Sequence, residues 1–252
     1  MTTRADLLPV PVPGVRATRW STDELYAGMK ETYAIGRIEA GRSEWWSRGK
    51  VWSCGPGSLQ ILQPGDVHRD ISRDGPGTGQ CVALSAQMVE GAIGKVCVHT
   101  QLAADDERGA AFHRLHHAVR AGADRLEIEA AVAEAIAALA ALGDAQREHT
   151  RPVRRAIELL RERLAEPVTL DDLAAHAGLD KYHLSRAFRA QVGMSPYAYL
   201  TRLRIMRAKE MLAAGVKPRD IAPKVGLYDQ SQLNRHFRRI VGTTPGQYAR
   251  SA

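Results

Sequence analysis

One stretch of the chain occurs twice, about 48 residues apart. The first copy begins at Gly178 with GLDKYHLSRAFRAQVGMSPYAY, and the second begins at Gly226 with GLYDQSQLNRHFRRIVGTTPGQY. Beyond one inserted residue the identities recur at an offset of 49. They are Leu184, Arg186, Phe188, Gly193, Pro196 and Tyr199, matched by Leu233, Arg235, Phe237, Gly242, Pro245 and Tyr248. A repeat of this period indicates a repeated structural unit, and two copies are too few for a solenoid. The chain therefore uses one motif as a pair.

Each copy has the pattern of a short helix, a turn that contains glycine, and a second helix, which is typical of a helix-turn-helix motif. The apolar spacing of the second helix predicts a buried face in both copies: Leu184, Ala187 and Phe188, and Leu233, Phe237 and Ile240. The opposite face carries polar side chains that suit a DNA groove: Lys181, Tyr182, Ser185, Arg186 and Arg189, and Gln230, Ser231, Asn234, Arg235 and Arg238. Arg pairs with guanine, Asn and Gln pair with adenine, and the remaining cations can hold phosphates.

The charge distribution supports a polyanionic partner for the C-terminal part. Residues 1–150 hold 16 Lys and Arg against 19 Asp and Glu, a net charge of −3, whereas residues 151–252 hold 19 against 9, a net charge of +10. A helix predicted from Ser195 to Ala214 separates the two copies, and it would span about 30 Å. Since successive major-groove faces lie about 34 Å apart, this spacer can place two DNA-binding helices in adjacent grooves.

Seven helices are predicted from residue 151 onward, and one of them contains a proline. The segment KPRDIAPKVG carries Pro223 in its middle. A proline inside a helix costs about 3 kcal/mol unless the helix is short or kinked there. This departure affects how rigidly the second copy is held.

The first hundred residues have the character of short strands. Six segments between residue 15 and about residue 99 are rich in β-branched or aromatic residues: VRATRW, ETYAIGRI, EWWSRGKVW, GSLQIL, QCVALS and KVCVHT. Turn signals such as EAGRS, CGPG, QPGD and RDGPGTG separate them, which favours a β-sandwich or barrel. Two amphipathic helices joined at Gly122 follow, with predicted buried positions at Phe112, Leu115, Val119, Leu126, Ile128, Val132, Ile136 and Leu139.

Cysteine and histidine usage favours neither a disulfide framework nor a metal cluster. The three cysteines, Cys54, Cys81 and Cys97, form no CxxC pair. His113, His116 and His117 have a spacing that could chelate zinc, but no fourth ligand is evident, so an exposed or interface face is favoured. The longest apolar run has 13 residues and includes Glu134, too short to cross a bilayer. With no signal-peptide pattern at the N-terminus, the sequence predicts a cytoplasmic protein without a membrane partner.

Residues 151–252 resemble the DNA-binding domain of the AraC/XylS family of bacterial transcription regulators, most strongly in DQSQLNRHFRRIVGTTPGQY. The resemblance implies that one copy contacts one major groove and the second copy the next. In the first part, GPGSLQILQPGDVHR is similar to the second motif of the cupin barrel, and ETYAIGRIEAGRS resembles the opening of a sensor barrel in this family. A metal-binding cupin would bring further histidines from an earlier strand, and TYAIGRIEAGRSEWW has none. No metal and no cofactor are therefore expected.

A small barrel can hold one small ligand, so an effector inside it is the sharper hypothesis, against plain core packing of the tryptophans. Trp45 and Trp46 are adjacent and would face opposite sides of a strand. The candidate effector contacts are Arg37, Trp46, Trp52, Gln60 and His68.

These observations predict an α+β protein with three parts. Residues 1–100 would form a cupin-like effector-sensing barrel, residues 101–145 two dimerisation helices, and residues 146–252 an all-α seven-helix domain with two helix-turn-helix motifs. The predicted function is a sequence-specific transcriptional regulator, not an enzyme. It would act at the nucleoid as a homodimer through residues 103–142, with RNA polymerase as a further candidate partner. Three alternatives stay open: a cupin-type metalloenzyme, a DNA-repair protein with this DNA-binding domain, and an architectural protein without sequence preference.

Overall fold

The protein is described by a computed structural model that covers residues 3–143 and 149–251. It divides into two compact units, Met1–Glu148 and His149–Ala252. The segment GDAQREHTRP, residues 143–152, has the polar composition of a linker, and it lies partly outside the described residues. Among those that are described, no helix combines the length and apolar character needed to span a bilayer.

The first unit is built on one eight-stranded antiparallel sheet. Its strands are β1 Arg4–Leu8, β2 Val15–Thr22, β3 Ala27–Met29, β4 Tyr33–Ser47, β5 Lys50–Cys54, β6 Leu59–Leu62, β7 Val67–Leu84 and β8 Thr100–Leu102. The hydrogen-bonded order is β1-β2-β7-β4-β6-β8, while β3 also pairs with β7 and β5 with β4. The two long strands β4 and β7 pair with each other along most of their length and carry the other strands on their free edges.

Two segments predicted as turns lie inside these long strands. EAGRS belongs to β4 and RDGPGTG to β7, and the register between them shifts at three places. The glycines of β7 serve a packing role. Gly79 pairs with Trp20 of β2, and a Cβ at Gly79 would lie 2.4 Å from the Trp20 ring. Glycine is therefore required there so that the indole can lie across the strand. Conversely, KVCVHT contributes only its last residue, Thr100, to a strand.

Three helices complete the first unit: α1 Ala86–Ile93, α2 Ala110–Ala121 and α3 Arg125–Gly143. A 3₁₀ turn, Glu107–Gly109, leads into α2, and Gly122 ends α2 in the left-handed conformation. The predicted apolar positions of α2 and α3 are buried, with one exception: Leu126 is 75% exposed. The buried side chains of both helices share one core with the sheet.

The second unit is helical. It contains α4 Arg151–Glu162, α5 Leu170–Ala177, α6 Lys181–Val192, α7 Pro196–Ala213, α8 Gln230–Val241 and α9 Pro245–Ser251. The helix predicted over KPRDIAPKVG is instead two 3₁₀ turns, Pro218–Asp220 and Pro223–Val225. Pro223 lacks the N–H that an α-helix would need at this point, and no side chain caps either turn. The described part of this unit thus has six α-helices where seven were predicted.

Candidate nucleic-acid interface and effector cavity

The two copies of the repeat have the same core. Phe188 and Phe237 are fully buried at matching positions of α6 and α8. Each packs edge-on against the tyrosine that follows eleven residues later. The ring centroids of Phe188 and Tyr199 are 5.7 Å apart, and those of Phe237 and Tyr248 are 5.5 Å apart. Edge-to-face aromatic pairs stabilise a core by more than the burial of their apolar area alone. The repeated residues therefore produce a repeated packing unit.

Capping residues determine where both DNA-facing helices begin. The Asp180 carboxylate accepts hydrogen bonds from the backbone N–H groups of Tyr182 and His183, at 3.0 and 3.1 Å. In the second copy Asp229 accepts from the N–H of Gln232 at 2.7 Å. An N-cap satisfies backbone donors that the helix itself leaves unpaired. The first two turns that follow these caps carry the predicted base-contacting side chains.

Most of the predicted DNA contacts are exposed. Eight of the ten are fully on the surface: Tyr182, Arg186, Arg189, Gln230, Ser231, Asn234, Arg235 and Arg238. The other two, Lys181 and Ser185, are half-buried. Lys181 also forms an ion pair with Asp171 of α5 at 3.2 Å. The polar face of each helix is therefore available to a partner of this unit.

Four of these side chains meet on one surface. Ser231, Asn234, Arg235 and Arg238 line a shallow depression. Two further residues line it that the sequence analysis did not select, Arg239 and Thr244. Both are polar residues close to the end of α8, and a search for exposed cations on every face of that helix would have found Arg239. Three arginines around one depression form a strongly cationic surface.

His236 lies beneath this cationic surface and was not predicted as a core residue. It is 4% exposed, and its Nδ1 lies 3.0 Å from the Arg239 guanidinium. Burial, and then the charges of Arg239, Arg235 and Arg204, lower the pKa of His236 below its usual value. The imidazole is therefore neutral at pH 7 and lies on the buried side of α8.

A single helix joins the two copies. The spacer α7 has 18 residues, which corresponds to about 27 Å. Near its N-terminus Tyr199 contacts Phe188 of the first copy. Near its other end Ala208 and Leu212 share a core with Phe237 of the second copy. One helix therefore packs against the cores of both copies, and its length of about 27 Å is comparable with the spacing of about 34 Å between successive major-groove faces.

The sheet of the first unit surrounds a cavity of about 290 Å³. Its wall draws on β1, β2, β4, β6 and β7, and on the segments either side of β3. Gln60 and His68, two of the five predicted effector contacts, line it. Gly36 lies beside Gln60 and contributes backbone to the wall.

The other three predicted effector contacts lie outside this lining. Trp46 lies under the guanidinium of Arg69, 5.2 Å from the ring centroid. Trp52 stacks on Trp45 at 5.8 Å. Arg37 follows Gly36 in β4 and therefore points to the opposite face of the sheet, towards α2. Because side chains alternate along a strand, the sequence could have shown that Arg37 and Gly36 face opposite sides of the sheet. It could not show which of these sides faces the cavity.

The three histidines of α2 are not gathered into a cluster. His116 is fully buried and His117 is exposed, while His113 is half-buried. Burial, and then the charges of Arg37 and His113, lower the pKa of His116 to about 3. Over residues 3–143 and 149–251 no three His, Cys, Asp or Glu side chains are close enough together to hold a metal ion.

A buried ionic network organises the rim of the sheet near β8. Arg48, in the turn between β4 and β5, donates from its Nε to Asp66 at 2.8 Å, and His99 Nδ1 lies 2.9 Å from the same carboxylate. Burial alone raises the pKa of Asp66, but Arg48 and His99 outweigh burial and hold that pKa below its usual value. These contacts fix the hairpin that carries Trp45 and Trp52.

Two helix-turn-helix motifs on one spacer, in a chain that also contains a sheet unit with an internal cavity, define a DNA-binding regulator with a ligand-binding domain. The comparisons with known proteins agree. A family model described as an AraC-like ligand binding domain matches residues 13–136, and one described as a helix-turn-helix domain matches residues 173–251. The chain belongs to the AraC-type family of helix-turn-helix transcriptional regulators.

Relatives and solved structures support this membership. The HTH-type transcriptional regulator YbfI of Bacillus subtilis is 30% identical over 215 residues, which are 80% of this chain and 78% of YbfI. The activator AarP of Providencia stuartii is 37% identical over 86 residues, 34% of this chain and 64% of AarP. A crystal structure of ToxT from Vibrio cholerae O395 covers 94% of this chain and 97% of its own, with a TM-score of 0.51 at 10% identity, a likeness that shows the fold alone. The predicted fold class and regulator function are confirmed, and nothing among these proteins supports the metalloenzyme or DNA-repair alternatives.

Proposed function

We propose that α6 and α8 enter successive major grooves of one promoter site. The first copy contacts bases through Tyr182, Ser185 and Arg186, and the second contacts bases through a set of four: Gln230, Ser231, Asn234 and Arg235. Lys181, Arg189 and Arg238 contact phosphates. The observation that carries this proposal is the repeated packing unit: one spacer of 18 residues holds two helices whose polar faces are exposed.

Base preference at the two half-sites tests the assignment. A site selected from random DNA gives the preferred sequence, and binding of the full chain is then measured on every single-base variant of it. Arg186→Ala is expected to lose about 1–3 kcal/mol of specific binding and to relax preference in one half-site, and Arg235→Ala to do the same in the other. Arg154→Ala, an exposed arginine of α4, is the control. Unchanged affinity and preference in both variants would contradict the assignment.

The cavity of the first unit is proposed as the effector site. It is enclosed by strands on several sides, and Gln60 and His68 contribute polar groups to a largely apolar wall. An effector regulates only if it binds the DNA-competent and DNA-incompetent states with different affinities. Gly36→Val tests this, since a Cβ at Gly36 meets only ordinary contacts, the nearest at 3.5 Å from Gln60. The variant should fold and bind DNA but no longer respond to any effector that alters DNA binding of the parent.

Residues 103–142 are proposed to form a homodimer. The outer face of α3 supports this, because small apolar side chains recur on it at helical spacing and are exposed: Leu126, Ala130, Ala133, Ala137 and Ala141. Ala133→Glu should shift the sedimentation coefficient towards that of the monomer, whereas Ala213→Glu, at the exposed end of α7 and outside the proposed interface, should not. A parent protein that sediments as a monomer at micromolar concentration would end this proposal.

The remaining parts of the function rest on the same family membership. The relatives are transcriptional regulators, which supports a role without catalysis for this chain. Its DNA partner places the proposed site of action at the nucleoid in the cytoplasm. RNA polymerase contact stays a prediction. An unchanged transcription rate from every promoter that the protein occupies would contradict the regulatory role of this particular chain.

A further inference from the structure

The cavity in the first unit has an unbalanced charge. Lys30 and Arg73 both line it, whereas Asp70 is the one carboxylate that lines it among the described residues. Asp70 is already engaged. It accepts a hydrogen bond from Arg73 at 2.8 Å and another from the backbone N–H of Tyr26 at 3.1 Å. The Asp70–Arg73 pair is therefore neutral overall, and Lys30 supplies a net positive charge to the cavity.

The ammonium of Lys30 lies near an aromatic ring and forms no ion pair with a described carboxylate. Its ammonium lies 5.8 Å from the centre of the Tyr26 ring. Among the residues that the structure describes, no carboxylate is in ion-pair contact with it. A half-buried ammonium beside an apolar wall lacks part of its hydration, so an anionic partner would bind there more strongly than it would at the open surface.

Two further polar atoms of the wall have no hydrogen-bond partner within the part of the chain that the structure describes. They are Nδ1 of His68 and Nε of Arg73, and both are buried. Burial, and then the charge of Lys30, lower the pKa of His68 well below its usual value, so the imidazole is neutral. A neutral imidazole can donate from Nδ1 in one of its tautomers, and the guanidinium Nε always donates. Buried polar groups are nearly always hydrogen-bonded in proteins, which makes these two atoms candidates for contact with a ligand.

The rest of the wall is largely apolar and partly aromatic, although four uncharged polar residues also line it: Thr3, Thr22, Ser43 and Gln60. Trp20 lies across β7 under the Arg73 guanidinium, 5.6 Å from it, and Tyr26 packs on His68 with ring centroids 5.1 Å apart. Ile38 and Leu62 add aliphatic surface to this lining. The volume, about 290 Å³, lies just below the range of roughly 300–1,000 Å³ that is usual for ligand pockets.

We propose that this cavity binds a small organic carboxylate with an aromatic or compact apolar body, anchored through its carboxylate by Lys30. The inference rests on the proposed effector role of the cavity and deepens it. Trp20 supplies a flat wall for the body of the ligand, and His68 and Arg73 supply donors. Amines are excluded by the positive charge. Sugars are disfavoured because they need several acceptors and Asp70, the strongest acceptor present, is already engaged.

Isothermal titration of the full-length protein with matched probes tests the charge requirement. The carboxylates are benzoate, phenylacetate and 3-phenylpropanoate. Each is compared with its amide and with the corresponding amine at millimolar concentration. At least one carboxylate should bind about tenfold or more tightly than its amide, as expected for hydrogen bonds to a charged group. No amine should bind.

Two variants locate the anchor. Lys30→Met should remove most of the difference between carboxylate and amide while leaving weak binding of both through the apolar wall. Lys95→Met is the control, because Lys95 is exposed and does not line the cavity. Equal binding of carboxylate and amide to the parent, no binding of any carboxylate, or an unchanged preference in Lys30→Met would each overturn the proposal.

DNA binding measured with the same probes separates this inference from the effector role. If carboxylates bind through Lys30 but leave operator affinity unchanged, the anion site stands and the effector role of the cavity fails. If an amide or another uncharged molecule alters operator affinity and Gly36→Val abolishes that response, the effector role stands and the carboxylate class is wrong.

Discussion

In the first copy of the repeat the helix that precedes the turn is α5, whereas in the second copy the equivalent residues form two 3₁₀ turns. The buried positions are nevertheless the same. Leu173 and Ile221 are equivalent, and both are at most 3% exposed, as are the DNA-facing helices' core residues Leu184 and Leu233. The spacing of apolar residues therefore decided which side chains enter the core. It did so whether the backbone of the segment forms an α-helix or two 3₁₀ turns.

The difference between the copies has local causes. Thr169 and Asp172 form a capping box at the start of α5, with Thr169 Oγ1 accepting from the Asp172 N–H at 3.1 Å. The residue equivalent to Thr169 is Lys217, which makes no side-chain cap, and Pro223 stands where the first copy has Ala175. A missing cap and a missing N–H act together against an α-helix, and four experiments can test how far the two copies are equivalent.

The largest effect is expected from the shared aromatic pair. Phe188→Ala and Phe237→Ala should each destabilise the second unit by about 3–5 kcal/mol, because both remove a fully buried ring. Urea unfolding followed by far-UV circular dichroism measures this. All four tryptophans are in the first unit, so the tryptophan-emission transition is the control and should stay where it is. Losses of unfolding free energy that differ widely between the two variants would show that the copies do not have equivalent cores.

Substitution of the turn glycine should destabilise the two copies by different amounts. Gly178 and Gly226 both have left-handed backbone, with φ of 73° and 74°. A Cβ at Gly178 meets no atom within 4 Å, whereas one at Gly226 would lie 2.6 Å from the backbone oxygen of Ala165. Gly178→Ala should cost about 1–2 kcal/mol from the left-handed conformation alone, and Gly226→Ala should cost about 1–3 kcal/mol more. Equal unfolding free energies for the two variants would contradict the close approach at Gly226.

Removal of the residue at the N-cap position should have its larger effect in the first copy, the opposite of the order expected for the glycines. Thr169→Ala is expected to lose about 1 kcal/mol, the usual effect of removing an N-cap. Lys217→Ala should change the unfolding free energy by less than about 0.5 kcal/mol, since no cap is lost there. Hydrogen exchange of the α5 amides gives a local measurement. Faster exchange in α5 is expected only for the first variant, and the same acceleration in both would mean that the cap does not hold this helix.

The smallest difference should appear in the pH dependence. His236 replaces the Ala187 of the first copy, and burial followed by neighbouring arginines lowers its pKa below the usual 6.5. Below that pH the unfolded chain takes up a proton that the folded chain does not, so stability falls as the pH falls. In His236→Ala the second unit should lose less stability than the parent between pH 7 and pH 5. If the unfolding free energy of the variant changes with pH as steeply as that of the parent, His236 is not the group responsible for this loss of stability.

Prediction from the sequence succeeded where one helix and its own periodicity were sufficient. The exposed faces of α6 and α8 followed from the positions of Leu184 and Leu233, and eight of ten selected side chains are on the surface. The cavity was harder. Its wall combines Trp20, Lys30 and Arg73, which lie in or beside different strands, and which side of each strand faces inward depends on how the sheet curves. Only Gln60 and His68 were found in advance.

The amino-acid sequence by itself determined the double helix-turn-helix, the capped N-termini of its helices and the unequal net charge of the two parts of the chain. The motif and its caps depend on residues within about one helical turn of each other, and the net charge depends only on the number of charged residues. Tertiary structure alone decided that Gly77 and Gly79 belong to a long strand rather than a turn, and that Arg37 faces α2 while Gly36 faces the cavity. The physical reason is range. Caps and helix faces arise from local contacts, whereas a cavity exists only after strands far apart in the chain have paired and curved around it.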